Sequence, residues 1–270
     1  MIKNITHSNG KITYYDTGSG EVVILLHGYL ETAEVWDDFA RDLARGFRVI
    51  SVDLPGHGNS LLPGNTYSME QMAGAVKAIL DHEGIDKVLM TGHSMGGYVT
   101  LAFLEKYPSR LHAYCLFHSH PYPDSKEIVC NRKREIKVVE CGKKDVIYPV
   151  NVPKMFADFN VERMKEKLEK HKTIAAGINA DGIIAVLNGM IQRPSRIEIL
   201  ERGDVPLLFI LGRHDNYIPC EEMLAKISMP GNSETLILEN SGHLGFVEEK
   251  EKSLRAITGF YSGYLKNQNL

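Results

Sequence analysis

The chain has 270 residues, of which 43% are hydrophobic and 24% charged, and a net charge of −3. That length supports one large core. The near-neutral balance leaves no electrostatic case for nucleic acid or an anionic membrane as partner, and no apolar run approaches the ~20 residues of a membrane span.

In chain order, Lys11 to Asp16 alternates like an early strand, and Gly18-Ser19-Gly20 turns it. Val22 to Leu26 is continuously apolar, as a strand covered on both faces must be. Ala33 to Leu43 carries Trp36, Phe39, Ala40 and Leu43 at helical spacing, and Phe47 to Val52 is another strand. Ser68 with Gln71 reads as a capping box opening a helix over Met69 to His82. Val88 to Met90 reads as a strand, Met95 to Tyr107 as a helix and Leu111 to Phe117 as a strand. Pro206 to Leu211 and Glu234 to Leu238 are strand-like, and Val247 to Leu265 reads as a terminal helix. This alternation predicts a mostly parallel sheet covered by helices. The first strands lack an intervening helix, so that edge is expected to be antiparallel.

The stretch between Phe117 and Val205 breaks the rhythm, because it is longer than an ordinary loop and contains no good buried strand. Val161 to Lys172 is a strongly charged helix candidate and Thr173 to Ile191 a more apolar one. The expected division is a core of 1–118 and 205–270 with a mainly helical subdomain over 119–204.

Gly92-His93-Ser94-Met95-Gly96 lies between an apolar strand and a helix. A serine at such a turn, with glycines two before and two after, has the pattern of a nucleophile elbow. Serine is a poor nucleophile until an oriented base takes its proton. Asp215 follows the strand ending at Leu211, and His243 follows the strand ending at Leu238. In a parallel sheet both emerge at the carboxyl edge beside Ser94. Ser94, His243 and Asp215 are therefore the candidate nucleophile, base and orienting acid. Negative charge developing on a substrate oxygen needs donors; the backbone amides of Tyr29, after His27-Gly28, and of Met95 are the candidates. His118, Ile183, Leu187 and Met190 are candidate substrate-binding residues. His118 and His120 sit two apart, but no third ligand completes a metal site. Cys115, Cys130, Cys141 and Cys220 form no Cys-x-x-Cys pair and read as reduced thiols. Met1 to His7 has no signal core, which points to the cytoplasm.

His27-Gly28-Tyr29, Asp53 to Ser60, Gly92 to Gly97, Gly212-Arg213-His214-Asp215 and Ser241-Gly242-His243 together resemble the α/β-hydrolase superfamily of serine hydrolases. The resemblance implies an eight-stranded, mostly parallel sheet with a helical cap after the sixth strand. It also implies that Asp53 to Ser60 is a structural turn, and it makes Asp124, after the sixth strand where a few relatives carry the triad acid, the reserve for Asp215. Carboxylesterases and enol-lactonases are the groups it is most similar to, with Gly189 to Pro194 resembling the latter.

The expected activity is hydrolysis of a small or medium, uncharged ester, thioester or lactone through an acyl-enzyme on Ser94. No cofactor, metal, nucleic acid or membrane is expected, and the protein is expected to be a monomer or homodimer. Two other classes stay open: a carbon–carbon bond hydrolase or lyase of the same fold, and a ligand receptor with a vestigial triad.

Overall fold

The computed structural model describes residues 1–268. Its centre is an eight-stranded sheet: β1 (Ile2–His7), β2 (Gly10–Gly18), β3 (Val22–Leu26), β4 (Arg48–Val52), β5 (Val88–His93), β6 (Leu111–Phe117), β7 (Leu207–Gly212) and β8 (Ser233–Leu238), in the order β1-β2-β4-β3-β5-β6-β7-β8. β2 pairs antiparallel with β1 and with β4, and every other pairing is parallel. The antiparallel edge is as expected, although β1, a polar strand, has no counterpart in the sequence reading.

β3, β5 and β7 are buried along their whole length, which requires helices on both faces. These are α1 (Asp37–Leu43), α2 (Met69–His82), α3 (Met95–Lys106) and the terminal α12 (Lys250–Gln268). α3 packs with α2 and against β3, β5 and β6, while α12 packs with α1 and against β6, β7 and β8. The capping box forms: Gln71 N donates to Ser68 Oγ at 3.2 Å, and Ser68 N to Gln71 Oε1 at 2.9 Å. The segment Asp53–Ser60 is a turn held by its own aspartate, whose two oxygens accept from the amides of Ala33 and Asn59.

Between β6 and β7 the chain is helical: α4 (Lys126–Glu140), α5 (Tyr148–Asn151), α6 (Asp158–Val161), α7 (Lys165–Ala176), α8 (Ala180–Gln192) and α9 (Ile197–Glu201). α10 (Cys220–Lys226) follows β7, and α11 (Gly245–Glu248) precedes α12. The two helices expected over 161–191 have different limits. Gly177 to Asn179 break the run, and α7 and α8 meet at 95°. α4 has no counterpart in the sequence reading, because its fifteen residues are mostly polar and only Ile136 and Val139 are buried. No single helix among the described residues is long and apolar enough to cross a membrane.

Candidate active site

Ser94 stands between β5 and α3 with φ 49° and ψ −114°. A residue with a side chain rarely adopts such a backbone, and the surroundings must hold it there. They do so on both sides of the residue. Ser94 N donates to the Phe117 carbonyl at 3.0 Å, and the Ser119 hydroxyl donates to the Ser94 carbonyl at 2.8 Å. Gly96 lets α3 pass over the end of β3, since a Cβ there would lie 2.4 Å from the Leu26 carbonyl oxygen. Met95 opens α3, so its amide has no intrahelical acceptor and sits at the positive end of the helix.

Asp215 and His243 emerge after β7 and β8, and His243 Nδ1 lies 2.7 Å from Asp215 Oδ2. The other oxygen of Asp215 accepts from the amides of Tyr217 at 2.8 Å and Ile218 at 2.9 Å. Burial alone would raise this carboxyl, but the His243 and His118 rings and these bonds hold it well below the usual carboxylate range. With Nδ1–H given to an ionised carboxylate, the His243 tautomer leaves Nε2 as its available acceptor.

His118 occupies a place that differs from the expected one. Its side chain is 0% exposed, and its Nδ1 lies 3.0 Å from the same Asp215 Oδ2 that takes His243. It stands behind the acid and offers no surface to a ligand. Burial pushes its imidazole down to about 4, against the pull of Asp215, so it is neutral and donates from Nδ1. Ligating atoms of His118, Asp215 and His243 lie within 4.8 Å of one another; both Nδ1 atoms are already committed to the carboxylate, which accounts for the cluster.

His93, just before the serine, is buried with an acceptor on each ring nitrogen. Nδ1 lies 2.9 Å from Glu31 Oε2, and Nε2 lies 2.8 Å from the His243 carbonyl oxygen. Donating to both requires two N–H groups, hence an imidazolium. Burial opposes that charge, but Glu31 outweighs it and the ring's pKa is raised; the carboxyl of Glu31 is held at about 2, burial notwithstanding, by the charge of His93. Glu31 Oε2 also accepts from Gly28 N at 2.6 Å. A Cβ on Gly28 would come within 2.8 Å of His93 Nδ1, so only glycine lets these groups meet. The loop after β3, the serine turn and the His243 segment are thus tied through one buried ion pair. Sequence reading missed Glu31 and the role of His93; the one available signal is an acidic residue four positions after His27, in the loop that follows β3.

The Tyr29 hydroxyl reaches the inserted helices and donates to Glu135 Oε1 of α4 at 2.7 Å. Ile183, Leu187 and Met190 are 2%, 0% and 1% exposed and join the continuous core. They hold α8 to the domain beneath and are packed into the core, where an exposed pocket wall was expected. Asp124 does not approach His243: it pairs with Arg132 and Arg193. His120 bonds the Tyr98 hydroxyl at 3.2 Å. A separate surface depression lined by Thr32, Asp53, Lys170 and Ile174 includes none of Ser94, Asp215 and His243.

The profile of the family described as alpha/beta hydrolase fold matches residues 21–147, the stretch that runs from β3 past the serine turn. The chain has the α/β-hydrolase fold, matches that family over this stretch, and is a hydrolase. It is similar to a thermophilic esterase from Thermogutta terrifontis, solved with malate bound, at 29% identity and a TM-score of 0.93 over 98% of this chain and 99% of that one. It is 27% identical over 267 residues to the pimeloyl-[acyl-carrier protein] methyl ester esterase of Aeromonas hydrophila, covering 90% of this chain and 96% of that protein. It is 28% identical over 262 residues to a 2-hydroxy-6-oxononadienedioate/2-hydroxy-6-oxononatrienedioate hydrolase of Paraburkholderia phymatum, covering 93% of this chain and 90% of that protein.

Proposed function

We propose that the protein hydrolyses a small or medium carboxylic ester, thioester or lactone through an acyl-enzyme on Ser94. Ser94 Oγ attacks the substrate carbonyl while His243 Nε2 takes the hydroxyl proton. Asp215 keeps His243 in the tautomer this requires and stabilises the imidazolium that forms. The negative oxygen faces the backbone amides of Tyr29 and Met95. His243 returns the proton to the leaving oxygen or sulfur, and the acyl group stays on Ser94. Water then attacks the acyl-enzyme, giving one proton to His243, and collapse releases the acid and restores the serine. The helices between β6 and β7 act as a cap over this reaction.

The observation that carries this reading is the 2.7 Å bond between His243 Nδ1 and Asp215, which follow β8 and β7, together with the strained backbone of Ser94 at the end of β5. The esterase relatives support it. A fluorophosphonate probe is expected to label Ser94 alone, and Ser94→Ala to abolish labelling and turnover together. Labelling that survives the substitution would end the reading.

One observation favours a second reading. The Paraburkholderia phymatum relative is named for a diene-dioate substrate, so the same residues could serve cleavage of a carbon–carbon bond next to a ketone. Turnover of a vinylogous diketone with no turnover of esters or lactones would select it. A receptor with a vestigial triad would turn over neither substrate and leave Ser94 unlabelled.

A further inference from the structure

Arg193 follows α8, and its side chain is 2% exposed. Nη1 donates to Asp124 Oδ1 at 2.7 Å and to the Met190 carbonyl at 3.0 Å. The guanidinium carbon lies 3.8 Å from the centre of the Tyr98 ring. Nε and Nη2 are buried and have no partner. These two atoms form one edge of the guanidinium, the fork that matches the two oxygens of a carboxylate. Buried charged donors are normally satisfied, so two empty ones on a single edge call for an acceptor.

Arg132 of α4 stands beside it, with Nε 2.7 Å from Asp124 Oδ2 and Nη2 3.3 Å from Oδ1. One carboxylate therefore bonds both guanidiniums, and it leaves the second edge of Arg193 without an acceptor. The neighbouring polar groups do not supply a second anion to Arg193. His120 is engaged with the Tyr98 hydroxyl and the Tyr122 amide. Glu135 takes the Tyr29 hydroxyl, and burial raises its carboxyl pKa. Arg132 keeps 17% of its side chain accessible. The Tyr98 ring under Arg193 belongs to the first turn of α3, which follows the nucleophile directly. Tyr98 N lies 3.4 Å from the Ser94 carbonyl oxygen, and four helical residues advance the axis by only ~6 Å.

We infer that the edge of Arg193, assisted by Arg132, receives a carboxylate carried on the acyl part of the substrate, so that short dicarboxylic half-esters are the preferred class. The inference rests on the hydrolytic role of Ser94 proposed above. The carboxylate occupies Nε and Nη2; Tyr98 fixes the plane of the fork, and Asp124 holds both guanidiniums in place. Because the edge is covered, the helices above it part to admit the substrate and close on it. An anionic acyl group replaces the uncharged one expected from sequence, where α4 and its Arg132 are not visible.

The test compares monomethyl glutarate with dimethyl glutarate, which share an acyl chain and differ in one capped carboxylate. The wild type is expected to favour the half-ester at least tenfold in kcat/KM, and Arg193→Met to bring that ratio to about one. Arg193→Lys should keep part of it. Equal or better use of the diester by the wild type, or an unchanged ratio in Arg193→Met, would overturn the inference. Binding to the Ser94→Ala protein, measured by calorimetry, keeps the two readings apart. There glutarate should bind at least tenfold more tightly than neutral glutaramide, and Arg193→Met in the same background should remove the difference. If no ester is turned over but this difference is found, the hydrolytic reading fails and the carboxylate site stands. If esters are turned over and the difference is absent, the carboxylate site fails alone.

Discussion

His93 Nε2 lies 2.8 Å from the backbone carbonyl oxygen of His243. The residue before the candidate nucleophile therefore holds the backbone of the candidate base, and its other nitrogen is held by Glu31. Glu31→Gln keeps the shape and removes the charge. In the parent protein the raised pKa of His93 makes the pair's stabilisation complete below the unfolded imidazole value of about 6.5. It is then lost as pH rises through the folded value. In the variant only the His243 carbonyl and the charge of Asp215 still oppose burial, and His93 is driven toward the neutral form. The stability gap should be widest in acid, on the order of 3 kcal/mol at pH 5.5, and smaller at pH 8.5. Thermal unfolding of both proteins across this range measures it. A gap independent of pH would mean that His93 carries no charge.

His118 should make the protein sensitive to acid in the opposite sense. Its folded pKa is depressed to about 4 by burial. In the unfolded chain it binds a proton near 6.5, so stability falls as pH drops from there toward 4. The loss attributable to this ring reaches about 3 kcal/mol at pH 4, at roughly 1.4 kcal/mol per pH unit. His118→Gln retains a side-chain N–H donor for Asp215 and cannot titrate. Its melting temperature should fall less steeply between pH 6.5 and 4.5. Identical slopes for the two proteins would show that His118 is not buried as a neutral ring.

The acid of the proposed triad can be assigned by comparing two substitutions. Asp215→Asn should lower kcat on the scale of ~10⁴, the size of an equivalent change in a serine hydrolase of another fold. Its melting temperature should remain within reach of the parent's, since the Tyr217 and Ile218 amides keep an oxygen acceptor. Asp124 pairs with arginines, so Asp124→Asn should act on the choice between charged and neutral esters. A loss of ~10⁴ in kcat from Asp124→Asn, with Asp215→Asn nearly silent, would move the acid to Asp124.

The Tyr29 hydroxyl ties the loop after β3 to Glu135 of α4. Across a series of straight-chain acyl esters, kcat/KM should climb by at most ~0.8 kcal/mol per added methylene up to about butyryl or hexanoyl, and then fall. Tyr29→Phe releases the tie and should move the optimum to longer chains. A steady rise out to palmitoyl in the parent protein would show an open groove instead.

Ser94, Asp215 and His243 were legible because each is a local event: a particular residue type at the carboxyl end of an apolar strand. Strands buried on both faces announce themselves as short apolar runs, and the turn at Ser94 needs small neighbours whatever the rest of the chain does. The capping box of α2 and the antiparallel edge follow from the same kind of short-range information. α4 escaped notice because a helix that buries only Ile136 and Val139 has almost no apolar periodicity to read, and β1 because a polar edge strand alternates too weakly.

What surrounds the candidate triad depended on the tertiary structure. Glu31 meets His93 across 62 residues, His118 meets Asp215 across 97, and Arg193 meets Asp124 across 69. The sequence shows that these residues are titratable but not which of them is buried or which way its side chain points. Whether His118 lines a pocket or backs an aspartate is decided by side-chain direction at the end of β6. Whether Arg193 is a solvated surface charge or a sealed guanidinium with an empty edge is decided by the packing of α4 against α8. Burial and orientation set the ionisation and hydrogen bonding of a polar side chain, and both arise only when distant segments pack.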